Sequence, residues 1–193
     1  IATLTEAGVL VSLGHSDCDY DTAMRAFDAG ARMATHLFNA MSQANARAPG
    51  LVGAALDHPR VATGLIADGV HVHPSMIRAA LAANRGAEEV FLVTDAMATG
   101  GSDITSFTLN DREILRREGR LTLADGTLAG ADLSLLQAVR YMHKTVGEPL
   151  ERSLARATVI PAGMLPKPPE LDHATAMIWI KDDLSELHWL TEL

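Results

Sequence analysis

The chain has 193 residues, 48% of them hydrophobic and 21% charged, with a formal net charge of −8 at pH 7; this balance excludes intrinsic disorder. The negative charge argues against nucleic acid as a partner, and no stretch approaches the ~20 apolar residues that span a bilayer. A single cysteine, Cys18, leaves no intrachain disulfide and suits a reducing, cytoplasmic compartment.

The chain opens on Ile1-Ala2-Thr3 rather than Met and runs almost at once into a strand, which predicts further sequence upstream. Val9, Val11 and Leu13 form an apolar run ending at Gly14, the pattern of a buried strand. Asp21 is placed to cap a helix over Thr22 to Ala29, stopped by Gly30. Arg32 to Thr35 predicts the next strand, ending at His36. From Leu37 to Pro49 a polar stretch carrying Arg47 predicts a loop of functional or mobile character.

Val61 to Ala67 predicts a third strand ending in Asp68-Gly69, and Pro74 suits the first turn of a helix running to about Asn84. Val90 to Val93 predicts a fourth strand, ending at Thr94-Asp95. Strands alternating with helices argue for βαβ units on a parallel sheet.

After Gly100-Gly101 the pattern changes. Ser106–Leu109, Glu113–Leu115 and Leu121–Leu123 predict short β-segments, with turns at Asn110-Asp111 and Glu118-Gly119. Gly126-Thr127-Leu128-Ala129-Gly130 follows, then a helix over Leu133 to Val146 capped by Asp132, and another over Leu150 to Ala157 broken at Pro161. The tail predicts strands over Thr175 to Ile180 and Glu186 to Leu190.

In α/β sheets and barrels, sites form at the carboxyl ends of parallel strands. His15, His36, His71 and Asp95 all fall there and predict one shared site. A lone histidine at a strand end is more often a hydrogen-bonded structural residue; two on successive strands, followed by an aspartate, favour a metal centre. Neutral imidazoles suit zinc and similar ions, and a carboxylate beside a bound water can move its proton. His15 and His36 are therefore the candidate ligands, and Asp95 the candidate general base. His73, beside Pro74, reads as a cap or surface residue; His58, before Pro59, as a loop residue; His143 as a helical residue.

The ordered motifs Gly14-His15-Ser16, Thr35-His36-Leu37-Phe38-Asn39-Ala40-Met41, Ile66-Ala67-Asp68-Gly69-Val70-His71-Val72 and Leu92-Val93-Thr94-Asp95-Ala96, with Gly126 to Gly130, resemble the N-acetylglucosamine-6-phosphate deacetylase family of the amidohydrolase superfamily. The resemblance covers about Leu13 to Ala162. It implies the C-terminal half of a TIM-type (β/α)8 hydrolase barrel, about strands five to eight, over 1–165. A β-insert falls near 104–124, and 166–193 would join a small β-sandwich.

By the same resemblance, His15 and His36 hold a divalent metal, most plausibly one or two zinc ions, and Asp95 is the acid/base. Asn39 and Ala40 (through its backbone) contact the substrate, and Arg47 reaches the sugar phosphate, commonly across a homodimer interface. His71 binds substrate near the reacting end, and Leu128, Ala129 and Gly130 form a loop closing over the acetamido group. The family's third metal ligand is a glutamate on an earlier strand; Glu6 is not that residue by position, so the ligand is expected upstream of Ile1 and the chain alone is expected to be inactive. Pro166 to Asp172 also departs from the glycine-containing turn of the family. The alternatives are another amidohydrolase, cleaving a cyclic amide or dipeptide, and a non-catalytic phosphosugar-binding remnant. Neither alternative explains both Arg47 and Asp95.

Overall fold

The computed structural model describes residues 1–86 and 90–165. A short helix, α1 (Ala2–Glu6), leads into β1 (Ser12–Leu13), α2 (Tyr20–Asp28), β2 (Met33–Ala34), α3 (Gly50–Asp57), β3 (Ala62–Ile66), α4 (Pro74–Ala83) and β4 (Val90–Val93). The four strands pair in parallel, in the order β1-β2-β3-β4. Helices in the connections put apolar side chains on the sheet, and β3 is buried along its whole length, as a central parallel strand must be. The predicted βα alternation is observed.

Two of three helix caps differ from expectation. Asp19, not Asp21, caps α2: its carboxylate accepts from the Thr22 amide at 2.8 Å, so the helix begins two residues earlier. His73 caps α4 as expected, its Nδ1 accepting from the Ser75 amide at 3.2 Å ahead of Pro74. Ser134, not Asp132, caps α5 (Leu135–Tyr141), in a capping box closed by Gln137. Asp132 is used elsewhere: it accepts from Arg116 Nε at 2.8 Å.

Helix α3 was not foreseen. Its sequence, Gly-Leu-Val-Gly-Ala-Ala-Leu-Asp, has no polar face, because Gly50, Leu51, Val52, Ala54 and Ala55 are all buried. A helix apolar on nearly every side leaves no amphipathic period to read.

The expected β-insert is a four-stranded antiparallel sheet: β5 (Ser106–Leu109), β6 (Arg112–Arg117), β7 (Arg120–Thr122) and β8 (Leu128–Ala131). It runs past the expected end at residue 124, because β8 returns along β7. Two links tie it to the parallel sheet. The Ala131 amide donates to Asp95 O at 2.9 Å, and Arg116 Nη1 donates to Ser102 O at 2.6 Å.

A π-helical turn (Met142–Val146) extends α5 to the expected end at Val146, where Gly147 at φ 88° stops it. Helices α6 (Leu150–Ala157) and α7 (Val159–Met164) follow; α6 packs on β4. Pro161 does not break the chain. It sits in the first turn of α7, where its missing N–H is not needed. On α6, Arg156 is 6% exposed; it grips Glu148 and donates to Val90 O at 2.6 Å, anchoring the helix to the sheet. The expected tail strands and sandwich, 166–193, lie outside the described residues.

Candidate functional site

Gly14 decides where the first histidine stands. A Cβ at Gly14 would lie 2.7 Å from Thr35 Cβ, so only glycine lets the ends of β1 and β2 close up here. Thr35 is fixed on both sides, its amide donating to Leu13 O at 2.7 Å and its hydroxyl sharing a 2.7 Å hydrogen bond with Ser12 Oγ. The next residue of each strand is then a histidine, and the rings meet edge to face, with His15 Nε2 and His36 Nε2 2.9 Å apart. His15 is exposed and His36 is 6% exposed.

Two imidazoles bound to one tetrahedral ion at about 2.0–2.1 Å each stand about 3.3 Å apart, a few tenths of an ångström wider than here. The pair therefore fits as two ligands of a zinc-type ion. Among the described residues no group of three His, Cys, Asp or Glu completes the set, and His36 Nδ1 is fully buried without the hydrogen-bond partner a ligating imidazole usually has.

Backbone strain marks the same places. His15 has φ 47°, His36 φ 27° and Asp95 φ 52°, each two residues past the end of its strand. Left-handed backbone costs a non-glycine residue roughly 1–2 kcal/mol and persists where surrounding structure imposes it.

The segment after His36 is no loose loop. Phe38 (φ 76°) and Ala40 (φ 48°) continue the strained turn, and Asn39 donates its side-chain amide to Leu37 O at 3.2 Å. Ser42 Oγ donates to Cys18 O at 2.6 Å and accepts from the Leu51 amide at 2.7 Å, while the Ser42 amide bonds Ser16 O at 3.1 Å. Asn45 and Ala48 exchange two backbone bonds of 3.1 and 3.2 Å, a tight turn with Arg47 at its tip. Arg47 is exposed and its side chain bonds nothing among the described residues.

At the end of β3 the structure adds a residue the sequence reading passed over. Asp68 Oδ2 lies 2.6 Å from His71 Nδ1, and Asp68 Oδ1 accepts from the Val70 and His71 amides at 2.8 and 2.9 Å. Burial pushes the carboxyl up, yet these hydrogen bonds outweigh it and hold it below its ordinary value. The sequence reading gave Asp68-Gly69 only as the end of the third strand; the signal for more was the histidine three residues on.

Asp95 is exposed, and its carboxylate has no partner among the described residues. Its main chain is held by Ala131, and a Cβ on Gly130 (φ 78°) would lie 3.0 Å from Asp95 O and 2.5 Å from Met97 Cγ. Leu128, Ala129 and Gly130 lie on a strand and not in the predicted loop, because β7 pairs with them, and Gly130 abuts Asp95.

So the structure brings together His15 with His36, Asp95 with Gly130, Asn39 with the His36 turn, and His71 with Asp68. No hydrogen bond or ion pair among the described residues joins Asp95 or His71 to the histidine pair. His58, expected in a loop, is 2% exposed under α2: its ring faces Phe27 and its Nε2 is 3.4 Å from Asp28. Cys18 is a free, half-buried thiol.

Known proteins are similar to this chain. The chain is 40% identical over 187 residues (95% of its length) to an N-acetylgalactosamine-6-phosphate deacetylase of Shewanella sp. (strain ANA-3), of which it spans 47%. It is 37% identical over 165 residues (86% of its length) to an N-acetylglucosamine-6-phosphate deacetylase of Vibrio furnissii, of which it spans 41%. This chain resembles amino-sugar-6-phosphate deacetylases along most of its length. The crystal structure of the N-acetylglucosamine-6-phosphate deacetylase from Pasteurella multocida superposes with a TM-score of 0.81 at 39% identity, over 85% of this chain and 43% of that one. The chain therefore spans a little under half the length of these relatives. No family model matches it.

Proposed function

We propose that this chain carries the metal-binding, acid/base and phosphate-binding part of an enzyme that hydrolyses the acetamide of N-acetylglucosamine 6-phosphate to glucosamine 6-phosphate and acetate. The observation that carries the reading is the His15–His36 pair, Nε2 to Nε2 at 2.9 Å, on strained backbone at adjacent strand ends. The resemblance to deacetylases over the same residues supports it. The four parallel strands are read as the second half of a (β/α)8 barrel over 1–165, with 166–193 as part of a small sandwich.

His15 and His36 hold the ion, zinc first among the candidates. When bound there, such an ion would supply Lewis acidity toward the amide carbonyl and would make a water more acidic, toward a pKa of ~7. Asp95, exposed and unpaired, accepts a proton from the attacking water and returns it to the departing amine, so the C–N bond breaks with acetate and free amine as products. Arg47 offers the phosphate a bidentate, charge-assisted partner from its rigid turn, and reaches it across a homodimer interface. Asn39 and the Ala40 backbone hold the sugar, His71 holds its reacting end, and Leu128 to Gly130 flank the acetamido group. A reducing, cytoplasmic setting suits the free Cys18.

A second reading is favoured by one finding: the Shewanella relative, matched over 95% of this chain, is named for the galactosamine epimer. The test joins this chain to the part of the Pasteurella multocida relative that it does not span and measures acetate release with zinc from both epimers. Turnover of either 6-phosphate is expected, falling by roughly 10²–10⁴-fold in Asp95→Asn. A folded, zinc-loaded protein that releases acetate from neither sugar overturns the proposal. The ratio of kcat/KM between the epimers chooses between the readings.

A further inference from the structure

Of the three strand-end histidines, His71 alone has a carboxylate partner among the described residues. Its side chain is 7% exposed and that of Asp68 9%, and the two meet at 2.6 Å, Nδ1 to Oδ2. The other carboxylate oxygen is occupied by two backbone N–H groups, so the carboxylate cannot swing away from the ring. Gly69 closes the turn under Tyr141: a Cβ there would lie 2.6 Å from the Tyr141 hydroxyl. His71 Nε2 hydrogen-bonds nothing among the described residues.

We infer that Asp68 is a positioning residue, which holds the Nδ1 proton of His71 and so presents Nε2 to the substrate as the free nitrogen. The inference rests on the deacetylase reading only for what His71 then touches. The physical reason is that a carboxylate accepts and never donates when ionised, so a ring nitrogen 2.6 Å away must carry the proton. Nε2 is then the acceptor for a sugar hydroxyl or amide N–H. Once a second proton arrives, Nε2 becomes a donor to the carbonyl oxygen, with Asp68 stabilising the cation.

Asp68→Asn tests this with almost no change of shape. The Val70 and His71 amides require an acceptor, so the new side-chain oxygen stays on them and the NH2 group turns toward His71. Nδ1 must then accept, and the proton moves to Nε2. A buried aspartate that orients a catalytic histidine loses most of its effect in this way when made an asparagine.

The experiment is long-range 15N NMR of the 193-residue chain near pH 8, with His71 assigned by its loss in His71→Asn. The expected result is a neutral His71 protonated at Nδ1 in the wild type and at Nε2 in Asp68→Asn. A wild-type His71 protonated at Nε2, or the same tautomer in both proteins, overturns the inference; the wild-type spectrum decides alone if the variant does not fold. In the joined enzyme, Asp68→Asn is expected to lower kcat at least 100-fold with KM little changed. An effect on KM alone, or a loss of activity tracking a loss of thermal stability with the tautomer unmoved, assigns Asp68 a merely structural role and also overturns it. If the joined enzyme deacetylates no amino-sugar phosphate, the deacetylase reading falls while the NMR result still decides the role of Asp68.

Discussion

Both sheets contain residues with left-handed backbone, and the two sets differ in kind. At the two-residue hairpins of the antiparallel sheet they are Asn110 and Asp111 (φ 50° and 60°) and Glu118 beside Gly119 (φ 51° and 70°). Each pair sits between two strands, where a two-residue hairpin demands positive φ, and three of the four are residue types that accept it readily. In the parallel sheet they are His15, His36, Phe38, Ala40 and Asp95. None of these sits in a two-residue hairpin, and Phe38 and Ala40 have nothing in their own chemistry to favour the conformation. The first set is explained by chain reversal. The second set falls just past the strand ends, where the candidate site lies.

The contrast can be pressed with substitutions. The largest effect is expected at Gly130, where an alanine meets both the left-handed penalty and the Asp95 carbonyl: Gly130→Ala should cost about 2–4 kcal/mol in denaturant unfolding. Gly126→Ala, also left-handed at φ 87° but with nothing within 4 Å of a new Cβ, should cost only about 1–2 kcal/mol. Equal losses would mean that the close approach at Asp95 contributes nothing. Gly14→Ala comes next. Wedging Thr35 away from β1 should cost about 1–3 kcal/mol and weaken zinc binding to the chain, measured by calorimetry, since His15 and His36 can no longer close to 2.9 Å. Unchanged zinc affinity would break the link between this glycine and the metal pair.

At the third strand end the left-handed position is taken by Gly69 (φ 75°), so Asp68 is not strained and its contribution is electrostatic. Its carboxyl is held below the ordinary value of 3.8, so its stabilising effect is complete above that pH and is lost as pH falls through the lower folded value. The stability gap between wild type and Asp68→Asn should therefore be constant near neutrality and shrink below about pH 4. A gap unchanged down to pH 2 would contradict the assignment. The smallest effect is expected in the hairpin: Glu118→Gly should raise stability by at most about 1 kcal/mol, relief of strain being offset by the entropy of a freer unfolded chain.

The parallel sheet was legible because Val61 to Ala67 is mostly apolar and Val90 to Val93 wholly so, and the hairpins because Asn-Asp and Glu-Gly are turn dipeptides. Helix α3 was not, since burial on nearly every side erases the period that pattern reading needs. Helix starts moved where two acceptors compete: Asp19 and Asp21 look alike in sequence, and only the hydrogen bond to Thr22 separates them. His15, His36 and Asp95 were legible as strand-end residues, but the convergence of the histidines depends on a missing Cβ at Gly14, which is a fact about Thr35 in space. Asp68 was passed over because a strand-end aspartate says nothing by itself of a ring three residues later. Strand identity for Leu128 to Gly130 was hidden too, since glycines at both ends of a short segment mimic a loop.

Ser42 carries a consequence of another sort. With hydrogen bonds to Ser16, Cys18 and Leu51 it stitches the turn after β1 to the start of α3, and the Arg47 turn hangs from that seam. The ordering cost of this segment is thus met when the chain folds and not when a ligand arrives. A phosphate that meets Arg47 has mainly the guanidinium rotamers to fix, which at about 0.5–1.5 kcal/mol for one long side chain is far less than ordering a free loop.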